Sequence, residues 1–259
     1  MMKAPKIAFF DFTCCEGCQL QVTNLGEELL ELLKFLDLVE FRETMSERWD
    51  GIYDIAVIEG SITTPHDVER IKRIRQRSRT LIAYGSCATI GGVNGMKNAF
   101  DLEEILQYVY GEGARFFTTL PTHPVHEVVP VEYFVHGCPV YQPEFLEVLK
   151  CALLGIPYHV PDVAVCVECK FNENVCFYER GLTCLGPITR AGCNSWCINN
   201  GNICYGCRGM VSNPNERGFL EVLERYGVRV EFLVRRMDMY NACRILKGAE
   251  KRHGEEHTR

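Results

Sequence analysis

The sequence has no excess of basic residues and no long apolar run. Its 28 lysines and arginines are outnumbered by 34 aspartates and glutamates, which gives a formal net charge of -6. Binding to the phosphates of nucleic acid requires a concentrated basic surface, so we expect no nucleic-acid partner. A membrane-spanning helix needs about 20 consecutive apolar residues. The chain of 259 residues has no such run, and we expect no membrane association.

A secretory signal core is also missing. Residues 1–6 lead directly into a short strand-like segment, so we expect a cytoplasmic protein. Disulfides are rare in that reducing compartment. The chain nevertheless has 15 cysteines, an odd number, and metal ligation is the better explanation for them.

The first 160 residues alternate short apolar runs with amphipathic patterns, which predicts an α/β domain with a buried parallel sheet. Apolar runs predict strands at 7–10, 54–58, 81–84, 115–120 and 133–135. Helical spacing and helix-start signals predict helices at 20–36, from 64 onward, at 101–110 and at 143–154.

The pattern changes after Pro161. Residues 161–212 have little apolar periodicity, many glycines and asparagines, and eight cysteines, so this segment needs a staple other than packing. Residues 213–259 form a third part, with a helix predicted at 216–226, a strand at 228–234 and a mobile charged tail at 248–259. We therefore expect domains at 1–160 and 161–212, followed by this C-terminal segment.

Four cysteines follow directly after predicted strands: Cys15, Cys18, Cys87 and Cys138. Loops at the carboxyl ends of parallel strands meet in one crevice, so these thiolates can share a site. The glycines beside them permit tight turns and a close approach of the backbone to a cluster. Taken singly, Cys87 or Cys138 would be interpreted as a small buried hydrophobe, but three cysteine-bearing loops at one edge favour ligation.

A phosphate site is the other common use of such a crevice. It would require hydroxyl groups and free backbone donors in the first loop, where this chain has a cysteine-rich sequence and the acidic Glu16. We therefore disfavour flavin binding by this chain.

The later cysteines form two CxxC pairs that enclose four further cysteines: Cys166, Cys169, Cys176, Cys184, Cys193, Cys197, Cys204 and Cys207. Eight thiolates divide into two four-cysteine sites. Two structural zinc ribbons are the alternative for this segment alone. A third four-cysteine site in a sheet crevice is not a zinc ribbon, so iron-sulfur chemistry accounts for all twelve cysteines together.

Nearly the whole chain resembles the small subunits of nickel-iron hydrogenases, and within them the soluble sulfhydrogenase delta type. The matching motifs are Cys15-Glu16-Gly17-Cys18, Gly85-Ser86-Cys87-Ala88, Gly137-Cys138-Pro139, Cys184-Leu185-Gly186-Pro187 and Cys204-Tyr205-Gly206-Cys207. The resemblance implies a flavodoxin-like parallel sheet domain followed by a small irregular iron-sulfur cluster domain. It also implies that the hydrogen-splitting nickel-iron centre lies on a separate large subunit.

The resemblance implies three 4Fe-4S clusters. The proximal cluster, nearest the nickel-iron centre, is held by Cys15, Cys18, Cys87 and Cys138. Cys166, Cys169, Cys176 and Cys193 form the distal set. Cys184, Cys197, Cys204 and Cys207 form the medial set, although exchanging Cys184 and Cys193 between the two sets gives an equally complete division.

Four further residues have open or minor roles. Cys14 makes a tandem pair with Cys15, as in the related quinone-reductase subunit, and it would shift the proximal set by one residue if it were a ligand. Glu16 either tunes the proximal cluster or passes a proton, or it is a solvated loop carboxylate. Cys151 and Cys243 stand on apolar stretches and are interpreted as packing residues.

By resemblance, the chain relays electrons between the large subunit and flavin- and NAD(P)-binding subunits that carry further iron-sulfur clusters, and some such complexes also reduce sulfur. A deazaflavin or a disulfide-reductase partner is an alternative acceptor. The 20 kDa quinone-reductase subunit shares the first domain but holds one cluster, so the eight later cysteines count against it. A zinc-ribbon interaction module is the remaining alternative.

Overall fold

The first part of the chain forms a parallel sheet. The structure, a computed structural model, describes residues 4–256 and the side chains of all of these except 216, 234 and 246–256. Its strands are β1 (Lys6–Asp11), β2 (Asp37–Glu40), β3 (Tyr53–Glu59), β4 (Ser78–Tyr84) and β5 (Tyr133–Val135). They lie in the order β2-β1-β3-β4-β5, all parallel. This is the flavodoxin-like order, and the predicted α/β fold is confirmed.

Helices connect and follow the strands. Those of the first part are α1 (Gly17–Thr23), α2 (Glu27–Leu32), α3 (Pro65–Gln76), α4 (Gly85–Ile90), α5 (Leu102–Tyr110) and α6 (Gln142–Leu154). Those of the later part are α7 (Val165–Phe171), α8 (Trp196–Asn199), α9 (Glu216–Arg225) and α10 (Val230–Glu256). No helix within residues 4–256 has the length and the apolar character needed to cross a bilayer.

Capping residues start helices α3 and α5 where these two helices were predicted. Thr64 and Asp67 form a reciprocal capping box at α3, and Asp101 accepts hydrogen bonds from two backbone amides of α5. Such caps satisfy amide groups that have no partner inside the helix.

Side chains alternate between the two faces of the sheet, as period-2 strands require. Ile7 and Phe9 of β1 pack in the same cluster as Phe145 of α6. Ala8 and Phe10 point the other way and pack with α3. Apolar layers therefore cover both faces, and only the edges and ends of the sheet remain for a site.

The cysteine-rich segment contains short helices and irregular backbone, but it has an apolar core as well. Leu185 and Ile188 pack there with Phe219 and Leu223 of α9 and with Leu233 of α10. The expectation of a segment almost without a core was therefore too strong, because the segment itself supplies most of this buried cluster and α9 and α10 complete it.

Three predicted elements were wrong. Residues 20–36 do not form one helix, because Gly26 adopts a left-handed φ of 60° between α1 and α2, and the chain then enters β2. Residues 115–120 are not a strand, since a 3-10 helix covers Gly111–Phe116 and residues 117–120 have no regular secondary structure. Exposed aromatic residues there mimic a strand signal.

The third error concerns 228–234, which lies mostly in α10. Its valines favour a strand by propensity, but tertiary packing overrides such preferences. Leu233, Ala242 and Cys243 of α10 are buried. The predicted charged tail at 248–259 lies where no side chains are described, and residues 257–259 lie outside the described residues altogether.

Candidate iron-sulfur cluster sites

The four cysteines at the carboxyl edge of the sheet lie together. Cys18 is in the first turn of α1 after β1, Cys87 is in the first turn of α4 after β4, and Cys138 follows β5. Burial raises the pKa of the Cys87 thiol to about 12, and the neighbouring Cys138 and Cys15 add to the rise. Burial, Glu59, Cys138 and Cys87 together raise the pKa of Cys18. The loops after these strands therefore converge. We refer to the four thiols as the edge set: Cys15, Cys18, Cys87 and Cys138.

Glycines make room for these sulfur atoms. Gly85 has a left-handed φ of 88°, and a Cβ placed on it would lie 2.5 Å from the Sγ of Cys18. A Cβ on Gly92 would lie 2.9 Å from the Sγ of Cys87. These distances are too short for real carbon atoms, so only glycine lets the backbone pass this close to the thiols.

Glu59 is a buried carboxylate behind the edge set that the motif analysis missed. It ends the apolar strand β3 and accepts hydrogen bonds from the backbone amides of Cys18 (3.1 Å) and Gln19 (2.8 Å). Burial raises its pKa, and the two amides oppose this rise. Its sequence signal was a glutamate at the end of an otherwise apolar run, at the same edge as the cysteines.

Cys14 and Glu16 both lie at this edge. Burial and Glu59 raise the pKa of Cys14 to about 12, and Cys87 is also among its neighbours. Glu16 has a left-handed φ of 60° before α1. Burial and a hydrogen bond with Glu43 raise its pKa. Cys14 is thus a fifth thiol beside the edge set.

A second group of thiols surrounds the start of the cysteine-rich segment. Burial raises the pKa of Cys166 to about 12, and Cys184, Cys169 and Cys176 add to the rise. A Cβ on Gly186 would lie 3.3 Å from the Sγ of Cys166 and 3.4 Å from that of Cys184, so one glycine separates these two sulfurs. We call these four cysteines the outer set.

A third group lies between the other two. Cys193, Cys197, Cys204 and Cys207 line one small cavity. Burial raises the pKa of Cys207 to about 12, with Cys193, Cys197 and Cys138 adding to the rise. We call these four cysteines the middle set.

In space, the middle set lies next to both the edge set and the outer set. Cys138 of the edge set has Cys197 of the middle set among its electrostatic neighbours. Cys204 of the middle set donates its backbone N–H to the Sγ of Cys184 in the outer set, at 3.2 Å. The order is therefore edge, middle, outer.

The cysteine spacing left open which of two residues, Cys184 or Cys193, belongs with the cysteines of the outer set. The structure brings Cys184 to Cys166, Cys169 and Cys176, and it brings Cys193 to Cys197 and Cys207, the reverse of the division first expected.

Hydrogen bonds tie the turns that follow Cys184 and surround Cys193 to α7, the helix of Cys166 and Cys169. The backbone N–H of Val165 bonds to Thr189 O at 2.8 Å, which holds the turn after Cys184 against α7. The carboxylate of Glu168, also in α7, accepts from the N–H groups of Gly192 (2.7 Å) and Ser195 (3.0 Å), which holds the turn around Cys193 to the same helix.

The remaining cysteines behave differently. Cys151 of α6 is half-buried. Cys243 of α10 is buried, and its thiol contacts the carbonyl oxygen of Thr122 at 3.5 Å. Another residue of α10, Tyr240, hydrogen-bonds with the Cys138 thiol. No sequence signal pointed to Tyr240, because its segment was not recognised as a helix.

The three sets suit iron-sulfur clusters. Each has four thiols, the ligands that cubane clusters use, with glycines or backbone N–H groups beside the sulfurs. Among the described residues, no three His, Cys, Asp or Glu side chains converge closely enough to chelate a single metal ion. Raised thiol pKa values mean that bound iron must displace the protons.

Replacing Gly85 tests the room at the edge set. Gly85→Ala should remove about four irons per chain, because its Cβ would collide with Cys18 Sγ and a cubane cluster holds about four irons. Iron analysis of the purified protein measures this loss. Gly155→Ala is the matched control, since Gly155 also has a left-handed φ, of 66°, but nothing lies within 4 Å of its added Cβ. Equal iron contents in the two variants would contradict the assignment.

The sequence and the fold have close counterparts. The family described as NADH ubiquinone oxidoreductase, 20 Kd subunit, matches residues 15–152. Sulfhydrogenase 2 subunit delta of Pyrococcus furiosus is 38% identical over 220 residues, which are 85% of this chain and 92% of that protein. A subunit of the F420-non-reducing hydrogenase vhu of Methanocaldococcus jannaschii is 31% identical over 83% of this chain and 85% of its own length.

Solved structures agree with these relatives. A chain of the NAD+-reducing NiFe hydrogenase in the H2-reduced state superposes with a TM-score of 0.55 at 27% identity, covering 61% of this chain and 96% of that one. The NiFeSe hydrogenase of Dm. baculatum gives a TM-score of 0.57 at 17% identity, covering 83% of this chain and 97% of that one, and shows the shared fold. The chain therefore belongs to the family of the 20 kDa subunit of NADH ubiquinone oxidoreductase and, within it, to the small subunits of nickel-iron hydrogenases.

Proposed function

We propose that this chain is the electron relay of a cytoplasmic nickel-iron hydrogenase and holds three 4Fe-4S clusters. The observation that carries the proposal is the grouping of twelve of the 15 cysteines into three neighbouring four-thiol sets. The nickel-iron site resides on the large subunit, so this chain needs no catalytic acid or base of its own. We keep the domain boundaries at 160 and 212 as part of the proposal.

The edge set would hold the proximal cluster: Cys15, Cys18, Cys87 and Cys138. The outer set would hold the distal cluster, with Cys184 as the fourth ligand: Cys166, Cys169, Cys176 and Cys184. The middle set would hold the medial cluster, with Cys193 in place of Cys184: Cys193, Cys197, Cys204 and Cys207. The neighbours of Cys184 and Cys193 support this division over the one that pairs Cys193 with Cys166.

Bound clusters of this type accept and release single electrons at potentials that the protein tunes. The chain's own residues supply hydrogen bonds to the ligand sulfurs. The Sγ of Cys184 accepts from two backbone amides, those of Gly186 (3.4 Å) and Cys204 (3.2 Å). Such bonds stabilise negative charge on sulfur and therefore raise a cluster's reduction potential.

The names of the relatives suggest which partner accepts electrons from this chain. Names such as sulfhydrogenase and NAD-reducing hydrogenase support an NAD(P)-reactive flavin partner with further iron-sulfur subunits, and sulfur reduction by the complex as a further activity. The F420-non-reducing hydrogenases and the gamma chain of a coenzyme F420 hydrogenase keep other acceptors as the second candidate: a disulfide-reductase partner or a deazaflavin.

Metal analysis of the anaerobically purified complex tests the proposal. We expect about twelve irons and as much acid-labile sulfide per small subunit, with EPR signals from three reduced clusters. A colourless complex that contains zinc and no iron would support a zinc-ribbon module instead. About four irons per chain would favour the single-cluster arrangement of the quinone-reductase subunit.

Pairs of substitutions test the division of the later cysteines. Two serines in the same set should remove one cluster, so Cys166→Ser/Cys184→Ser should lose about four irons, no more than either single variant. Cys166→Ser/Cys193→Ser should lose about eight, because the two residues lie in different sets. The opposite pattern of iron contents would restore the division first expected from the sequence.

Removing one proximal ligand tests the relay itself. Cys15→Ser should abolish H2-dependent reduction of NAD(P)+ by the complex, because electrons would lose their first site after the large subunit. The exchange of deuterium between D2 gas and water, which needs only the nickel-iron site, should persist. Cys151→Ser, at a half-buried cysteine outside the three sets, is the control and should retain both activities. Undiminished NAD(P)+ reduction by Cys15→Ser would refute the proximal assignment.

A further inference from the structure

Arg208 is a fully buried arginine that follows Cys207 of the middle set. Its side chain is 1% exposed. The guanidinium makes two parallel bonds to Glu144 of α6, Nη1 to Oε2 at 2.5 Å and Nη2 to Oε1 at 2.7 Å. Its other N–H groups bind two backbone carbonyls, Ala191 O at 2.8 Å and His136 O at 2.7 Å. One side chain therefore joins three separate segments of the chain.

The two carbonyls belong to ligand-bearing loops. His136 lies two residues before Cys138 of the edge set, and Ala191 lies two residues before Cys193 of the middle set. Arg208 itself is covalently next to Cys207. Further contacts join the edge and middle sets, since Ser86 Oγ, beside Cys87, donates to Cys207 O and the Cys138 backbone amide hydrogen-bonds with the Cys207 thiol. Arg208 thus stands at the junction between the edge and middle sets.

The site is built around the guanidinium. Glu144 is 3% exposed in its side chain and also accepts from Tyr158 Oη at 3.2 Å. A Cβ on Gly192, where φ is 114°, would collide with Arg208 Nη2. The planar fork of arginine matches a carboxylate in a way that the point charge of lysine does not.

Stability alone explains such a pair poorly. Removing two charges from water costs free energy that their attraction repays only in part, and apolar replacements of both partners are often neutral. What an apolar pair would lose is the directed bonding to the carbonyls of His136 and Ala191. The pair therefore contributes geometry more than it contributes stability.

We infer that Arg208, held by Glu144, is a positioning residue that fixes the loop of Cys138 against the loops of Cys193 and Cys207. In the proposed relay, on which this inference rests, it sets the spacing between the proximal and medial clusters.

Two variants of the assembled complex test this. Arg208→Lys keeps the positive charge but loses the planar guanidinium that makes two parallel hydrogen bonds to Glu144. Arg208→Met/Glu144→Met removes both charges, so the local net charge is unchanged, and it should fold for the reason just given. The matched control is Arg75→Met/Glu132→Met, because Arg75 likewise binds a carboxylate (2.8 Å) and backbone carbonyls, but it ties α3 to the start of β4 and to the segment before β5.

The measurement is the magnetic interaction between reduced clusters, which splits their EPR signals and weakens steeply with distance, recorded with a redox titration. We expect both Arg208 variants to lose or markedly reduce the splitting between the proximal and medial signals. The control should keep it. The medial potential should stay near its native value in both variants, because neither changes the net charge of the pair.

Unchanged splitting in variants that retain three clusters would overturn the inference. Selective loss of the medial signal would also overturn it, by placing Arg208 in the medial site alone. Loss of all clusters together with the helical circular dichroism in both variants would make Arg208 a residue of the fold only. Fewer than three clusters in the native complex would instead contradict the proposed function, so the two failures are distinguishable.

Discussion

Twelve cysteines gathered into three groups of four shape most of this structure. Most thiols of the edge, middle and outer sets are buried or partly buried, whereas Cys15 and Cys138 are exposed. Burial raises the pKa values of Cys87, Cys166 and Cys207 to about 12. Such groups keep their protons at neutral pH unless a cation replaces them. A chain that gathers four thiols at one point is therefore suited to a metal cofactor, and binding of that cofactor would contribute to its folding free energy.

The parallel sheet supplies the first of these points. Strands β1, β4 and β5 end at the same edge, and the loops that follow them bring together cysteines up to 123 residues apart. Both faces of the sheet are covered by apolar layers, so the edge is the open place for ligands. Glu59 ends β3 between these loops and binds the start of α1, which fixes Cys18 in position.

The later sets need more than a sheet. Residues 161–212 gain apolar packing from α9 and α10, and their turns are held by single polar side chains such as Glu168 and Arg208. These side chains connect neighbouring cysteine sets. The same interactions that shape the segment therefore also determine how far apart the sets lie, which matters for any transfer of electrons between them.

Much of this was readable from the sequence, and the exceptions have physical causes. Strand ends and the edge set follow from local patterns, because apolar runs and the glycines beside Cys18, Cys87 and Cys138 report on backbone requirements that act nearby. The partners of Cys184 and Cys193 do not follow from local patterns, since the spacing permits either division. The turns that carry both residues are hydrogen-bonded to α7, so the choice depends on where tertiary packing places each thiol. Helix α10 was missed because its burial, not its propensity, selects the conformation.

Anomalous diffraction from anaerobically grown crystals of the complex, measured on both sides of the iron absorption edge, would locate any iron relative to the thiols. We expect iron density in three places, each enclosed by one set of four sulfurs, in the order edge, middle, outer. Iron at fewer places, a signal at the zinc edge instead, or sulfurs that face away from the density would contradict this expectation.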